Sequence, residues 1–137
     1  MNDHTISIVK ESFDLVEPIA PQAAEMFYGN LFEADPSLQP IFMSDRVPQG
    51  AKLVQLIERA IAKLDKPELL TPALHDLGRR FAEAGVRNEQ LDTVRGALLK
   101  TLYQGLGVAY TEEVEEAWTQ VYAELVGIMK EGAAATA

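Results

Sequence analysis

The side chains of this sequence that are able to do chemistry are few. There are two histidines, His4 and His75, and no cysteine. Without a thiol there are no disulfides, thiolate metal sites, thiol catalysis or cofactors tethered through sulfur. No glycine-rich phosphate loop, P-loop, nucleophile elbow or His-x-x-x-His pair can be read. Gly105-Leu-Gly107 closes a helical pattern instead of opening one, so it is not a nucleotide cradle. The carboxylates gather on solvent faces, as at Glu112, Glu113, Glu115 and Glu116. Three polar residues stand beside apolar ones. Tyr28 follows Phe27 and reads as a buried tyrosine whose hydroxyl finds a nearby carbonyl. Gln49 reads as the first-turn polar residue of its helix and Lys52 as a solvated lysine.

The stretch that limits the chemistry most runs from Thr71 to Gly85. Thr71 is suited to cap a first turn, Pro72 to the first helical position, and Gly85 to the left-handed residue that stops a helix. Leu74, Leu77, Phe81 and Ala84 recur at helical spacing, while Arg79, Arg80 and Glu83 point away. Whatever lies opposite this helix is met by the Phe81 ring, which binds neither a metal nor a proton. His75 lies six positions earlier and, at 100° per residue, points well off that face. It reads as a surface histidine, and His4 as part of a frayed terminus.

The remaining elements follow from periodicity. Thr5 to Glu17 carries Ile6, Val9, Phe13 and Val16 on one stripe, and Pro18 and Pro21 break it and start a second helix. That helix carries Ala24, Phe27, Tyr28, Leu31 and Phe32 and ends before Asp35-Pro36. Asp35 caps a short turn through Leu38 that stops at Gln39-Pro40, with Ile41-Phe42-Met43 in irregular chain and Ser44 to Pro48 a loop. From Gln49, Leu53, Leu56, Ile57, Ala60, Ile61 and Leu64 form one stripe, ended by Asp65-Lys-Pro67. A later helix is capped by Asn88, has Leu91, Val94, Leu98, Leu99 and Leu102 inward, and is closed by Gly105 and Gly107. The last starts at Thr111 with acidic residues in its first turn, where the dipole favours them. Val114, Ala117, Trp118, Val121, Tyr122, Leu125 and Ile128 form its core face, and Gly132 begins a frayed tail. No segment alternates at strand period. The expectation is an all-α single domain over residues 1–137, six main helices plus a short helix after the second.

Composition narrows the setting. The chain has 137 residues, 47% hydrophobic and 24% charged, with a formal charge of -9. Acidic residues spread through the chain repel nucleic acid and anionic lipid, which both need clustered cations. Neither nucleic acid nor membrane is an expected partner. No apolar run is long enough to cross a bilayer and no leader is readable, which fits a cytoplasmic protein.

Several motifs, taken in order, carry a likeness that none carries alone. They are Glu-Met-Phe-Tyr-Gly-Asn-Leu-Phe-Glu-Ala-Asp-Pro at 25–36 with Pro-Ile-Phe at 40–42, Gln-Gly-Ala-Lys-Leu at 49–53, and Leu-Gly-Arg-Arg at 77–80. Ala-Gly-Val at 84–86, Gly-Ala-Leu-Leu-Lys-Thr-Leu at 96–102 and Ala-Trp-Thr-Gln-Val-Tyr at 117–122 complete the set. The chain thereby resembles the globin domain of flavohaemoglobins and the single-domain bacterial haemoglobins over nearly its whole length. The resemblance implies a globin fold and a haem pocket. It aligns Phe42 with the aromatic packed on the haem face, and Tyr28 and Gln49 with the distal pair that hydrogen-bonds a diatomic ligand. Leu53 matches an apolar residue of the same wall and Lys52 a position near a haem propionate. Phe81 falls where the family places its proximal histidine. Leu91 and Ala133 fall where it places the tyrosine and glutamate that orient that histidine. A second shell matters only where a first-shell ligand exists, so the three departures belong together.

Two functions from different classes follow. One is a haem protein of bacterial globin type, holding haem by burial without a proximal histidine, with Tyr28 the leading candidate iron ligand and His75 a poor one. Met26 and Met43 carry thioethers able to meet iron, but core filling is their commoner use. The resemblance then implies oxygen or nitric oxide binding, or dioxygenase or peroxidase chemistry when haem is bound. No flavin or nicotinamide domain follows residue 137, so a reductase is expected as a separate protein. The other function is a haem-free sensor or binding module, in which Leu53, Ile57, Phe81 and Leu98 line a cavity for a fatty acid or another flat apolar molecule, or the outer helices bind a protein partner. No other cofactor is expected.

Overall fold

The computed structural model describes residues 2–43 and 50–135. Among these residues there is no strand. Helices α1 (Asp3–Val16), α2 (Ala20–Ala34), α3 (Gln39–Phe42), α4 (Ala51–Ala62), α5 (Thr71–Ala84), α6 (Asn88–Leu106) and α7 (Glu112–Ala135) follow in order. Single 3-10 turns at Glu17–Ile19, Pro36–Leu38, Pro67–Leu69 and Gly107–Ala109 bridge several of them. Six long helices with a short one after the second is the architecture that periodicity implied.

Helix ends obey local chemistry, though not always through the expected residue. Asn2 caps α1 by accepting the Thr5 amide at 2.8 Å. Asp35 caps the Pro36–Leu38 turn by accepting the Ser37 amide at 3.0 Å. Thr71, expected as a cap, is instead the first residue of α5, with Leu70 as cap and the Thr71 hydroxyl donating back to the Pro67 carbonyl. The preceding 3-10 turn already supplies the capping geometry. The cap of α6 is likewise Arg87 and not Asn88, because the Gln90 carbonyl oxygen accepts the Arg87 amide at 2.9 Å. Gly85 ends α5 in the left-handed region at φ 92°, as expected. Gly105 lies within α6 and only Gly107 closes it. The short turn after α2 does not stop at Gln39-Pro40: Pro40 sits in the first turn of α3, where its missing N–H is not needed, so Ile41 and Phe42 are helical. The expected loop Ser44–Pro48 lies outside the described residues.

Among the described residues, two hydrophobic cores share one bridging side chain. The larger joins Val9, Phe13 and Val16 of α1 to Leu74 of α5, Leu91 and Leu102 of α6, and Trp118 and Val121 of α7. The smaller joins Leu31, Leu38, Phe42 and Ala97, with Phe27, Tyr28 and Phe32 against it. Phe81 packs against both. The buried Trp118 indole N–H donates to the Ser12 hydroxyl at 2.8 Å, and the Tyr122 hydroxyl to the Leu91 carbonyl at 2.6 Å.

The most extensive helix pairing is α5 with α7. It depends on two glycines. A Cβ on Gly78 would overlap the Met129 backbone, and one on Gly132 would overlap the His75 backbone. Gly132 is therefore a buried contact inside α7 and not the start of a frayed tail. Bare backbone at both points lets the two helices approach closely enough to fix α5, and with it Phe81.

Candidate functional site

Phe81 and Phe42 meet. Their ring centroids are 5.7 Å apart at an interplanar angle of 46°. Phe42 reaches this point because Asp35 and Pro36 turn the chain sharply after α2 and α3 then carries the ring inward, where it is buried. Phe81 reaches it from the apolar face of α5, half-buried. Arg79, Arg80 and Glu83 lie exposed on the same helix, as the helical spacing required. Where the two helices face each other the surface offered is carbon.

Tyr28 stands on α2 between two aromatic neighbours. Its ring stacks on Phe32 at 5.8 Å and meets Phe27 edge-on at 5.6 Å. Its hydroxyl oxygen accepts the Gly50 amide at 3.1 Å. The expected partner was a carbonyl; the partner among the described residues is an N–H donor, to which the phenol acts as acceptor. Gly50 makes this contact at φ 56°, a backbone conformation that favours glycine. Between α2 and α4 lies an open groove of about 440 Å³, lined chiefly by Ala20, Pro21, Ala24, Tyr28, Ala51 and Val54. Glu25 and Gln55 add polar groups to its wall. This groove was missed in the sequence, because small residues such as Ala20, Ala24 and Ala51 read there as helix formers and not as a wall.

The remaining expected residues divide. Gln49 lies outside the described residues. Lys52 is exposed and Leu53 half-buried on α4. Leu98, on α6, is half-buried against the larger core together with Ile57 and Phe81. Leu53 and Leu56 are half-buried, yet neither is among the described side chains packed against either core. Of the long apolar stripe on α4 only Ile61 is fully buried. Leu64, also expected in that stripe, lies past the helix end and is buried. The apolar face of α4 is thus half-buried, with none of its large side chains fully exposed.

His75 lies on the outer side of α5, its Nε2 3.3 Å from a Glu131 carboxylate oxygen on α7. That is the surface position expected of it. His4 is not in a frayed end: it belongs to α1, with Nε2 3.6 Å from Glu113. Met43 is half-exposed just past α3. Among the described residues no group of three His, Asp or Glu side chains is placed to hold a metal ion.

Three titrating groups are shifted by their surroundings. The Ser37 hydroxyl and then the Gln90 amide hold the Asp35 carboxyl below the usual carboxylate range. Burial pushes the Tyr122 phenol well up, and raises Tyr110 to a lesser degree. None of these groups is among the expected pocket residues.

Tested against the haem that the resemblance implies, the described residues offer walls suited to a flat ring. The half-buried apolar face of α4, aromatic rings at Phe42 and Phe81, and an exposed Lys52 suit a flat molecule with a polar edge. The α5 side offers no nitrogen, oxygen or sulfur at Phe81.

Comparison with known proteins bears on the same question. The model of the globin family matches residues 25–129. A flavohaemoprotein of Rhizobium meliloti is 32% identical over 132 residues, covering 89% of this chain and 33% of that protein. The chain therefore spans about a third of the flavohaemoproteins it matches. An anaerobic nitrite reductase of Arabidopsis thaliana is 31% identical over 139 residues, covering 90% of this chain and 88% of that protein. Among solved structures, a bacterial globin from Campylobacter jejuni superposes with a TM-score of 0.81 at 18% identity, covering 98% of each chain.

Proposed function

The chain belongs to the globin family, and on that premise we propose that it is a globin of bacterial-haemoglobin type whose pocket takes haem by apolar burial, without an imidazole from α5. The observation that carries this reading is the apolar face of α4, where Leu53 and Leu56 stay half-buried and unclaimed by the two cores. Each 100 Å² of apolar surface removed from water contributes about 2.5 kcal/mol. A macrocycle that covers the exposed remainder of such a face therefore makes up part of the affinity otherwise supplied by one ligand bond.

Phe42, Phe81, Leu53 and Leu98 are the residues that would enclose the ring, and Lys52 the cation at its polar edge. Tyr28 is the leading candidate to meet the iron side, because its phenolic oxygen, which accepts the Gly50 amide through one lone pair, keeps a second for a metal. Gln49 completes that polar end on the resemblance alone. Haem, when bound, supplies an iron that takes oxygen or nitric oxide, the family role. Dioxygenase or peroxidase turnover would require electrons from a reductase. The cysteine-free composition supports a cytoplasmic setting for one globin domain over residues 1–137. No helix among the described residues is long and apolar enough to cross a membrane.

The test is an absorption titration with hemin of the native chain and of Tyr28→Phe. The reading expects a saturable Soret band in the native chain that shifts in the variant. An identical band in both would remove Tyr28 from the site.

A second reading has its own observation. The Phe42 and Phe81 rings are in contact at 5.7 Å, carbon against carbon. That arrangement favours a haem-free globin that binds a fatty acid or a flat apolar molecule as a sensor. Saturable binding of a long-chain fatty acid by a chain that takes up no hemin would establish this reading over the first.

A further inference from the structure

We propose that the buried Gln90 carboxamide is a positioning residue for the pocket, clipping the corner that carries Phe42 to the turn that follows Phe81. Gln90 is only 5% exposed, which is unusual for a primary amide, and its carboxamide is engaged at both ends. Its carbonyl oxygen accepts the Arg87 amide at 2.9 Å. Its amide nitrogen donates to the Asp35 carboxylate at 3.2 Å and to the Ser37 hydroxyl at 3.3 Å, across a separation of 55 and 53 residues. Asp35 in turn accepts the Ser37 amide and hydroxyl, which fixes the start of the Pro36–Leu38 turn.

The placement of these groups explains why the link matters to the site. On one side, Asp35 ends α2, and the turn it caps leads within seven residues to Phe42. On the other, the Val86 amide donates to the Phe81 carbonyl at 2.9 Å, and Arg87 opens α6 with Gln90 in its first turn. The Phe42 corner and the end of α5 come from distant parts of the chain, and this amide is a polar tie between them. A helix cap needs only the Gln90 carbonyl oxygen. The amide end, aimed at Asp35 and Ser37, contributes nothing to the cap and holds the far corner in register. Fixing the backbone of that corner before a ligand arrives lowers the ordering cost of binding, and leaves the two rings to turn apart around it. The inference rests on the pocket reading above for its ligand, but not for its geometry.

The test uses the full chain as Gln90→Leu and Gln90→Glu, with Asp35→Asn as a second way to break the link should Gln90→Leu fail to fold. The first readout needs no ligand: the NMR cross-peaks between the Phe42 and Phe81 rings. The second is the rate at which hemin, loaded in excess, transfers to a scavenging apoprotein. Gln90→Leu is expected to weaken the ring cross-peaks and speed hemin release about tenfold at every pH, equivalent to about 1.4 kcal/mol. Gln90→Glu sets two carboxylates against each other at neutral pH, with Arg87 the cation that acts on Asp35. As the pH falls the pair comes to share a proton, and the carboxyl introduced by Gln90→Glu, once protonated, can again donate to Asp35. Ring cross-peaks and slow release should then return in that variant. A residue that merely fills space would not give this recovery. Unchanged ring cross-peaks in Gln90→Leu, or a pH-independent loss in Gln90→Glu, would overturn the proposal. If the native chain takes up no hemin, the haem reading fails, and the ring cross-peaks alone still decide the clip.

Discussion

Replacing Phe81 by histidine puts an imidazole where the chain now presents a ring of carbon. Without ligand the change is unfavourable. The contact with Phe42 at 5.7 Å is lost, and such aromatic pairs contribute about 0.5–1.5 kcal/mol beyond their area. A polar nitrogen also enters a half-buried apolar site, so the total loss is about 1–2 kcal/mol. For a chain of this size that lowers the melting temperature by about 3–8 °C. With hemin present the order reverses. If the new donor tightens binding tenfold, it adds about 1.4 kcal/mol at fixed excess hemin, and a hundredfold gain about twice that. The assay is thermal unfolding by circular dichroism with and without hemin, beside an absorption spectrum of each sample. Phe81→His should melt below the native chain without hemin, gain more from hemin than the native chain does, and show a conventional histidine-ligated spectrum. If hemin stabilises both chains equally and the spectra coincide, Phe81 does not border the pocket and the assignment fails.

The other expectations concern the frame of the site. Gly78→Ala and Gly132→Ala each force a methyl into the backbone of the partner helix at the α5–α7 crossing, and should each lower stability by about 2–3 kcal/mol in chemical denaturation; a change below half of that would show that the helices can part without cost. Ser12→Ala leaves the Trp118 indole N–H buried without its acceptor, so it should cost about 1–3 kcal/mol and shift the tryptophan emission. Burial raises the Tyr122 phenol in the folded chain above its unfolded value near 10. The folded state then binds more protons than the unfolded state above that pH, so stability should fall as pH rises from about 10 upward. Tyr122→Phe should flatten that fall, as measured by denaturant midpoints against pH.

Most of the fold could be read from the sequence because helical periodicity reports burial directly. Ile6, Val9, Phe13 and Val16, or Ala117, Trp118 and Val121, are stripes that bury as their spacing requires. Interactions between distant segments were not legible. Gly132 read as a fraying signal because its partner, the His75 backbone, lies 57 residues away in the chain, and only the crossing of α5 with α7 reveals it. Thr71 and Asn88 read as caps because local chemistry suits them. A preceding 3-10 turn in one case and the Gln90 side chain in the other displaced them. Gln90 itself gave no signal, since a glutamine in a helical first turn is ordinary and its burial comes from Asp35 and Ser37. Phe81 was the opposite case. Its spacing marked it as apolar face, and its contact with Phe42 accords with that, while its significance for a haem site rests on the family resemblance.

The central claim is that a flat apolar ring enters between Phe42 and Phe81 without a ligand from α5. The most direct measurement is an NMR titration of the native chain with a diamagnetic protoporphyrin, following the ring protons of Phe42 and Phe81. The account predicts one equivalent bound saturably, large ring-current shifts on both phenylalanines, and loss of the cross-peaks between them as the ring parts the pair. Saturable binding that leaves both rings unshifted, or no binding at all, would contradict it.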